Sequence, residues 1–114
     1  LKNDKKLTIH GSGEYIRDYM FVTDAAIAFE LILEKGKIRE IYNIGCEDTG
    51  ISVLELSKIL IKKIKKTENF EDWVEYVEDR SFNDKRYLIN NNKLKDLGWE
   101  QKINLEEGIN KLLL

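Results

Sequence analysis

The segment from Ala25 to Leu33 constrains the fold of this chain more than any other part of the sequence. It leaves almost no polar face within a helix predicted over Phe21–Lys35. Thr23 is the expected N-cap, Asp24 suits the positive end of the helix dipole, and Gly36 is expected to end the helix. A helix that is apolar nearly all round must be covered on both sides. Since 114 residues offer little material for this, a neighbouring domain outside the sequence is expected.

Strands and helices alternate along the rest of the chain. Alternation of apolar and polar residues, β-branched content and turn residues predict strands at Leu7–His10, Ile41–Ile44, Trp73–Glu78 and Tyr87–Ile89. Ser52 and Glu55 form a capping box that predicts a helix after Ser52. A short helix over Asn91–Leu97 and a last helix capped by Asn104 complete the pattern. The alternation favours an α/β arrangement, or α+β for the isolated piece, with residues 1–114 as one domain.

Composition excludes several classes of function. The net charge is −2 and the isoelectric point is near 5.5, so there is no basic excess for general binding to nucleic acid. A run of lysines occupies the outer face of the helix after Ser52, where solvated lysines are usual. Cys46 is the single cysteine, which argues against disulfides and favours a cytoplasmic location. No apolar run approaches the length that crosses a bilayer, so no membrane association is expected.

Arginine is scarce and unevenly placed. The chain has 15 lysines and 4 arginines, and three of the arginines fall in two short polar segments. Arg17 lies in the first segment, and Arg80 and Arg86 lie in the second. The planar guanidinium group binds phosphate or carboxylate through two parallel hydrogen bonds, which lysine cannot do. The placement therefore indicates an anion site, or alternatively two surface turns whose arginines pair with neighbouring aspartates.

The residues of a known catalytic centre are missing. No Gly-x-Gly-x-x-Gly motif or P-loop is present, and no tyrosine is followed four residues later by lysine. One histidine and one cysteine cannot build a zinc site. His10 falls in a predicted strand, where a structural or stacking role is favoured over catalysis. The residues can therefore bind an anion but have no evident means of transforming it.

Five motifs in fixed order resemble one family. They are Thr8-Ile9-His10-Gly11-x-Gly13-x-x-Ile16-Arg17-Asp18, Phe21-Val22-x-Asp24, Tyr42-Asn43-Ile44-Gly45, Asp79-Arg80-x-x-Asn83-Asp84-x-Arg86-Tyr87 and Leu97-Gly98-Trp99. In this order they closely resemble the C-terminal part of the nucleotide-sugar (dTDP- or UDP-glucose) 4,6-dehydratases, which are extended short-chain dehydrogenase/reductases. The fourth and fifth motifs are the specific signal, and the third alone indicates only the wider epimerase/dehydratase group.

The resemblance implies a substrate-binding part of an enzyme whose N-terminal Rossmann domain binds NAD and carries the catalytic Tyr-x-x-x-Lys pair. No catalytic or NAD-binding role falls on this chain. The implied reaction oxidises the sugar at C4, eliminates water and reduces C6, as in the synthesis of deoxysugars such as rhamnose. The implied partners are the nucleotide-sugar, the Rossmann domain and a second subunit in a homodimer.

The resemblance also implies substrate-binding residues. By position, Thr8, Ile9 and His10 match a strand beside the base, and His10 replaces a commoner tyrosine. Arg17 matches the arginine that grips the diphosphate, and Ser52 matches a position near the nucleotide where bacterial members usually have asparagine. The second nucleotide-binding stretch is matched by residues 79–83, from which Asp79, Arg80 and Asn83 are the expected contacts.

Two departures from the family pattern leave the choice between dTDP and UDP undecided. Ser81 stands where the family mostly has proline, and Phe82-Asn83 replaces the Gly-His pair of bacterial members. The second feature is closer to eukaryotic and UDP-sugar members, so dTDP and UDP both stay possible. A nucleotide-sugar epimerase or decarboxylase, and a binding module without catalysis, are the alternative functions.

Overall fold

The computed structural model describes residues 1–46, 50–86 and 89–114. The elements in chain order are β1 (Leu7–His10), β2 (Ile16–Arg17), α1 (Val22–Lys35), β3 (Ile51–Ser52), α2 (Val53–Lys65), a 3-10 turn (Glu71–Trp73), β4 (Val74–Val77), α3 (Asn92–Asp96) and α4 (Leu105–Leu113). The α/β class predicted from the sequence is confirmed. The chain forms two compact units, one from residues 1–17 and 50–87 and the other from residues 18–49 and 88–114.

The first unit is built on a parallel pair of strands. β1 pairs with β4 in a register that places Leu7 opposite Val74 and His10 opposite Val77. Parallel strands need a long crossover connection, and α2 lies in that connection. The short strands β2 and β3 pair antiparallel beside it, with Arg17 opposite Ile51. The carboxyl ends of β1 and β4 therefore point the same way.

The core of the first unit forms between this sheet and α2. Ile9, Ile61 and Val74 are buried there, and Leu54 and Trp73 pack against them. α2 begins at the predicted place, because Ser52 accepts a hydrogen bond from the Glu55 backbone N–H while the Glu55 carboxylate accepts from the Ser52 backbone N–H. The predicted capping box is thus confirmed, and it determines that α2 starts directly after β3.

The second unit depends on a buried carboxylate. Asp24, in the first turn of α1, is 1% exposed, and its Oδ2 accepts hydrogen bonds from the backbone N–H groups of Lys102 (3.1 Å) and Ile103 (2.9 Å). Its backbone carbonyl accepts a third bond from the indole Nε1–H of Trp99 at 3.0 Å. Ala28, Leu94 and Trp99 form the adjoining core. A polar group at the start of α1 therefore ties this helix to the segment before α4.

Two predictions about this unit need correction. Thr23 is not the N-cap of α1, since the helix starts at Val22 after Phe21 without a side-chain cap. Ile41–Ile44 is not a strand, and the Nδ2 group of Asn43 in this stretch donates to the carbonyl of Asn90 at 3.1 Å. Gly36 ends α1 as predicted, in an extended conformation.

Most of the remaining predictions for helices and strands are confirmed. α3 and α4 lie where expected, and Asn104 caps α4 in a second capping box with Glu107. The predicted strand at Trp73–Glu78 is observed as β4, preceded by the 3-10 turn. Most of the strand predicted at Tyr87–Ile89 lies outside the described residues. No helix in the described ranges is long and apolar enough to span a membrane.

The apolar helix α1 is only partly covered by this chain. Asp24 and Ala28 are its buried residues, whereas Val22, Phe29 and Leu33 are 71%, 61% and 87% exposed. Large apolar side chains exposed along one helix are typical of a surface that another protein element covers. The neighbouring domain expected from the sequence is consistent with this exposure and stays a prediction.

We expect the Ser52→Ala substitution to lower the free energy of unfolding by about 1 kcal/mol at neutral pH, because it removes the N-cap of α2. The hydrogen bond from Ser52 also lowers the pKa of the Glu55 carboxyl below 4.5. A lowered pKa stabilises the fold above that value, and the stabilisation is lost as pH falls through the folded-state pKa. The difference between wild type and variant should therefore shrink below about pH 4.5. Urea unfolding at several pH values measures it, and the exposed Ser81→Ala is the matched control. A difference that grows in acid would contradict the capping box.

We expect Asp24→Ala to destabilise the chain by at least about 2 kcal/mol, because two buried backbone N–H groups lose their acceptor. Glu30→Ala, on an exposed part of the same helix, should change stability by less than about 0.5 kcal/mol. Thermal and urea unfolding of both variants provide the measurement. Equal effects of the two substitutions would show that the Asp24 bonds do not stabilise this unit.

Candidate functional site

The predicted anion-binding residues meet at one end of the first unit. β1 and β4 are parallel, so the loops that follow them, residues 11–15 and 78–86, leave the sheet at the same end. Ligands of α/β proteins bind at the carboxyl ends of parallel strands, where such loops converge. The Gly11 N–H donates to the Val77 carbonyl at 3.0 Å and extends the pairing to the first residue of the loop.

Two glycines shape the first loop. Gly11 and Gly13 have φ values of 61° and 75°, a left-handed conformation that residues with a Cβ rarely adopt. A Cβ at Gly13 would lie 2.8 Å from Cγ2 of Ile9, and one at Gly11 would lie 3.1 Å from Cβ of Asp79. The close contact between the two loops therefore depends on Gly11, and Gly13 lets the first loop pass close to β1.

Arg17 and Arg80 converge on one amide oxygen. Nη2 of Arg17 donates to Oδ1 of Asn83 at 2.7 Å, and Nη2 of Arg80 donates to the same oxygen at 3.0 Å. Arg17 is half-buried, whereas Arg80 is exposed. Arg17, which lies 66 positions from Asn83 in the chain, thus shares this acceptor with Arg80 of the second loop. Like charges this close are costly unless an acceptor or a bound anion lies between them.

Arg17 is held by further contacts. Its Nη1 donates to the carbonyl of Ile16 at 2.7 Å, and its guanidinium carbon lies 5.9 Å from the centre of the Tyr15 ring, within the range of a cation–π interaction. These contacts restrict the side chain before any ligand arrives. A restricted side chain loses less entropy on binding.

Asp79 holds Asn83, the shared acceptor of the two arginines, in place. Its Oδ1 accepts hydrogen bonds from Nδ2 of Asn83 (3.1 Å) and from the backbone N–H of Arg80 (2.9 Å). A hydrogen bond from Tyr15 holds the pKa of the Asp79 carboxyl below its ordinary value, with smaller contributions from Asn83 and Arg80, while burial acts in the opposite direction. The same bond raises the pKa of Tyr15. Asp79 is therefore a carboxylate that orders its neighbours.

The other predicted substrate residues lie on β1 and β3. Oγ1 of Thr8 donates to Glu75 at 3.0 Å, and His10 is exposed at the end of β1. The side chain of Ile9 is fully buried in the core, which leaves its backbone as the part available to a ligand. The hydroxyl of Ser52 donates to Glu55 at 2.7 Å as part of the capping box. The roles of these four residues in nucleotide binding stay predictions.

Sequence reasoning missed Tyr15, and it did not foresee how the arginines pair. The alternative of two simple surface turns predicted ion pairs with neighbouring aspartates. Instead, the backbone N–H of Arg80 donates to Asp79, and its guanidinium group donates to Asn83. No pattern around Tyr15 marks it, since its importance comes from a partner 64 residues away that folding brings close.

The site does not fit a dinucleotide or a metal ion. A dinucleotide-binding glycine loop joins a strand to a helix whose N-terminus receives the phosphates. Here the Gly11–Gly13 loop joins β1 to β2, and the backbone of Gly13 is used by the Leu54 N–H at 2.9 Å. No group of three or more metal-ligating side chains occurs among the described residues. An anion held by guanidinium groups is the ligand that this arrangement suits.

The chain is similar to known proteins along nearly its whole length. The chain is 44% identical over 116 residues to the dTDP-D-glucose 4,6-dehydratase of Bos taurus, covering 99% of the chain and 32% of the relative. The structure of a dTDP-glucose 4,6-dehydratase from Bacillus anthracis in complex with NAD matches with a TM-score of 0.83 at 35% identity, over 96% of this chain and 33% of that one. A UDP-glucose 4-epimerase from Thermotoga maritima with UDP-glucose matches with a TM-score of 0.76 at 32% identity, over 99% of this chain and 37% of that one.

These comparisons locate the chain within larger proteins. It spans about a third of the length of the relatives it matches, and its α/β arrangement corresponds to the C-terminal portion of the solved dehydratases. The family profile described as GDP-mannose 4,6 dehydratase matches residues 1–112. With a match along nearly its whole length, the chain belongs to the GDP-mannose 4,6 dehydratase family of extended short-chain dehydrogenase/reductases.

Proposed function

We propose that this chain binds the nucleoside-diphosphate portion of a nucleotide-sugar within a dTDP- or UDP-glucose 4,6-dehydratase. The observation that carries the proposal is the convergence of Arg17 and Arg80 on Oδ1 of Asn83. A diphosphate offers several anionic oxygens, and guanidinium groups bind such oxygens with charge-assisted hydrogen bonds. Each such bond contributes roughly 1.5–3 kcal/mol.

The relatives support the dehydratase reaction. The bovine and Bacillus anthracis proteins carry that activity in their names, and the latter was solved with NAD. The proposed reaction oxidises the sugar at C4, eliminates water and reduces C6. Because this chain does not fit NAD, we assign the redox chemistry to a Rossmann domain elsewhere in the same polypeptide. The exposed apolar residues of α1 are the proposed contact with that domain.

The base and the exact reaction are the finer parts of the proposal. The bovine relative favours dTDP-glucose, whereas the Thermotoga maritima structure, an epimerase, contains UDP-glucose. Both kinds of protein must hold a nucleoside diphosphate, so the arginine pair is compatible with either. The dehydratase is favoured because the bovine protein shares 44% identity, against 32% for the epimerase.

We expect Arg17→Ala to weaken the binding of UDP or dTDP to the full-length enzyme by roughly 10- to 100-fold, which corresponds to one lost charge-assisted bond. Arg80→Ala should have a smaller effect, because Arg80 is exposed and its charge is better screened by water. Isothermal titration calorimetry measures both. Arg39→Ala, which removes an exposed arginine from the second unit, is the matched control and should leave the affinity unchanged. Unchanged affinity in both Arg17→Ala and Arg80→Ala would refute diphosphate binding at this site.

We expect the full-length enzyme to convert dTDP-glucose or UDP-glucose to a 4-keto-6-deoxy product that has lost the elements of water. Mass spectrometry of the nucleotide-sugar separates the two candidate reactions, because an epimerase gives a product of unchanged mass. The substrate with the higher kcat/KM identifies the preferred base. A product isomeric with the substrate would replace the dehydratase assignment with the epimerase.

A further inference from the structure

We infer that Asn83 is a positioning residue, which holds Arg17 and Arg80 together for the diphosphate without neutralising their charge. This inference rests on the proposed function of the site. It differs from the role implied by family resemblance, in which Asn83 itself contacts the nucleotide. The evidence is a set of three hydrogen bonds that use both ends of one side-chain amide.

The two ends of the amide meet chemically opposite neighbours. Arginine side chains can only donate hydrogen bonds, and an ionised carboxylate can only accept them. The oxygen of Asn83 accepts from Arg17 and Arg80, and its nitrogen donates to Asp79 at 3.1 Å. A side chain at this position must therefore be an acceptor on one side and a donor on the other. An amide satisfies both conditions and carries no charge.

The absence of charge matters for anion binding. A carboxylate at position 83 would form ion pairs with both arginines and would repel Asp79. It would also compete with the diphosphate for the same N–H groups. The neutral oxygen of Asn83 separates the two cations through ordinary hydrogen bonds and adds no negative charge that would compete with a ligand. Asn83 thus lowers the cost of bringing two guanidinium groups together before the diphosphate binds.

The surrounding backbone is arranged for this amide. Phe82 precedes it with a φ of 58°, a left-handed conformation that is uncommon for a large side chain, and its ring is fully exposed. Such a conformation persists where neighbouring interactions determine it. The bond from Asn83 back to Asp79, four residues earlier, closes the turn, and Tyr15 holds Asp79 from the other side.

The test is the binding of UDP and dTDP to variants of the full-length enzyme at pH 8, with uridine and thymidine as ligands that lack phosphate. We expect Asn83→Ala to weaken diphosphate binding about tenfold through the extra ordering of two long side chains. Nucleoside affinity should not change, because Asn83 acts only through the arginines. KM should rise in proportion while kcat is retained.

Two further variants separate positioning from a merely structural role. Asn83→Asp should bind diphosphate more weakly than Asn83→Ala, and far more weakly than Ser81→Asp, which adds the same charge at an exposed position of the same loop. Asn83→His, whose neutral imidazole has one acceptor and one donor, should restore most of the affinity lost in Asn83→Ala. Circular dichroism and thermal unfolding establish that each variant is folded.

The outcomes distinguish this inference from the proposed function. If Arg17→Ala and Arg80→Ala lose diphosphate affinity while Asn83→Ala binds as wild type does, the positioning role is refuted and the diphosphate site stands. Equal loss of nucleoside and diphosphate affinity in Asn83→Ala also refutes it, since the residue would then contact the nucleoside. If neither arginine variant loses affinity, the proposed function itself fails.

Discussion

The parallel pairing of β1 with β4 is the interaction on which the site depends. Each strand alone is four residues long and would be unstable in isolation. α2 stabilises the pair by covering it with Ile61, against which Ile9 and Val74 pack. Because the pairing is parallel, the segments that follow both strands leave at the same end. Arg17 and Asn83 lie 66 residues apart in sequence and meet there.

Electrostatics at this end follow a layered arrangement. Two cations face one neutral amide, and the amide is backed by a carboxylate with a lowered pKa. The carboxylate of Asp79 orients the amide by accepting a hydrogen bond from its nitrogen. Direct pairing of Asp79 with both arginines would have given a stable surface cluster with little residual affinity for an anion. Asn83 between them adds no negative charge, which is consistent with the diphosphate site that we propose.

The second unit shows a different use of a carboxylate. Asp24 is buried, and its Oδ2 accepts hydrogen bonds from the backbone N–H groups of residues 102 and 103. The apolar residues of α1 on the other side of the helix stay exposed, although their composition is that of a core. The chain spans about a third of the length of its relatives, and exposed apolar residues along one helix are typical of a surface that another protein element covers.

Much of this could be read from the sequence because local patterns determine it. The two capping boxes at Ser52 and Asn104 fix helix starts within a single turn, and the family motifs point to Arg17 and Arg80 before any coordinates exist. The N-cap of α1 was predicted wrongly, since the helix begins at Val22 after Phe21 without a side-chain cap, and the carboxylate of Asp24 accepts a hydrogen bond from a segment 78 residues away. The strand expected at Ile41–Ile44 is not observed, and this stretch is contacted by side-chain amides of residues 43 and 91 that donate to backbone carbonyls.

What the sequence determined by itself is therefore the four helices, the strands β1 and β4, the family and the residue types available for an anion. The tertiary structure alone decided which of them act together. Tyr15 has no distinctive spacing, and its connection to Asp79 arises only when the β1–β4 register brings the two loops side by side. Hydrogen bonds have a range of about 3 Å, so a network of them between distant segments is specified by folding and not by local sequence.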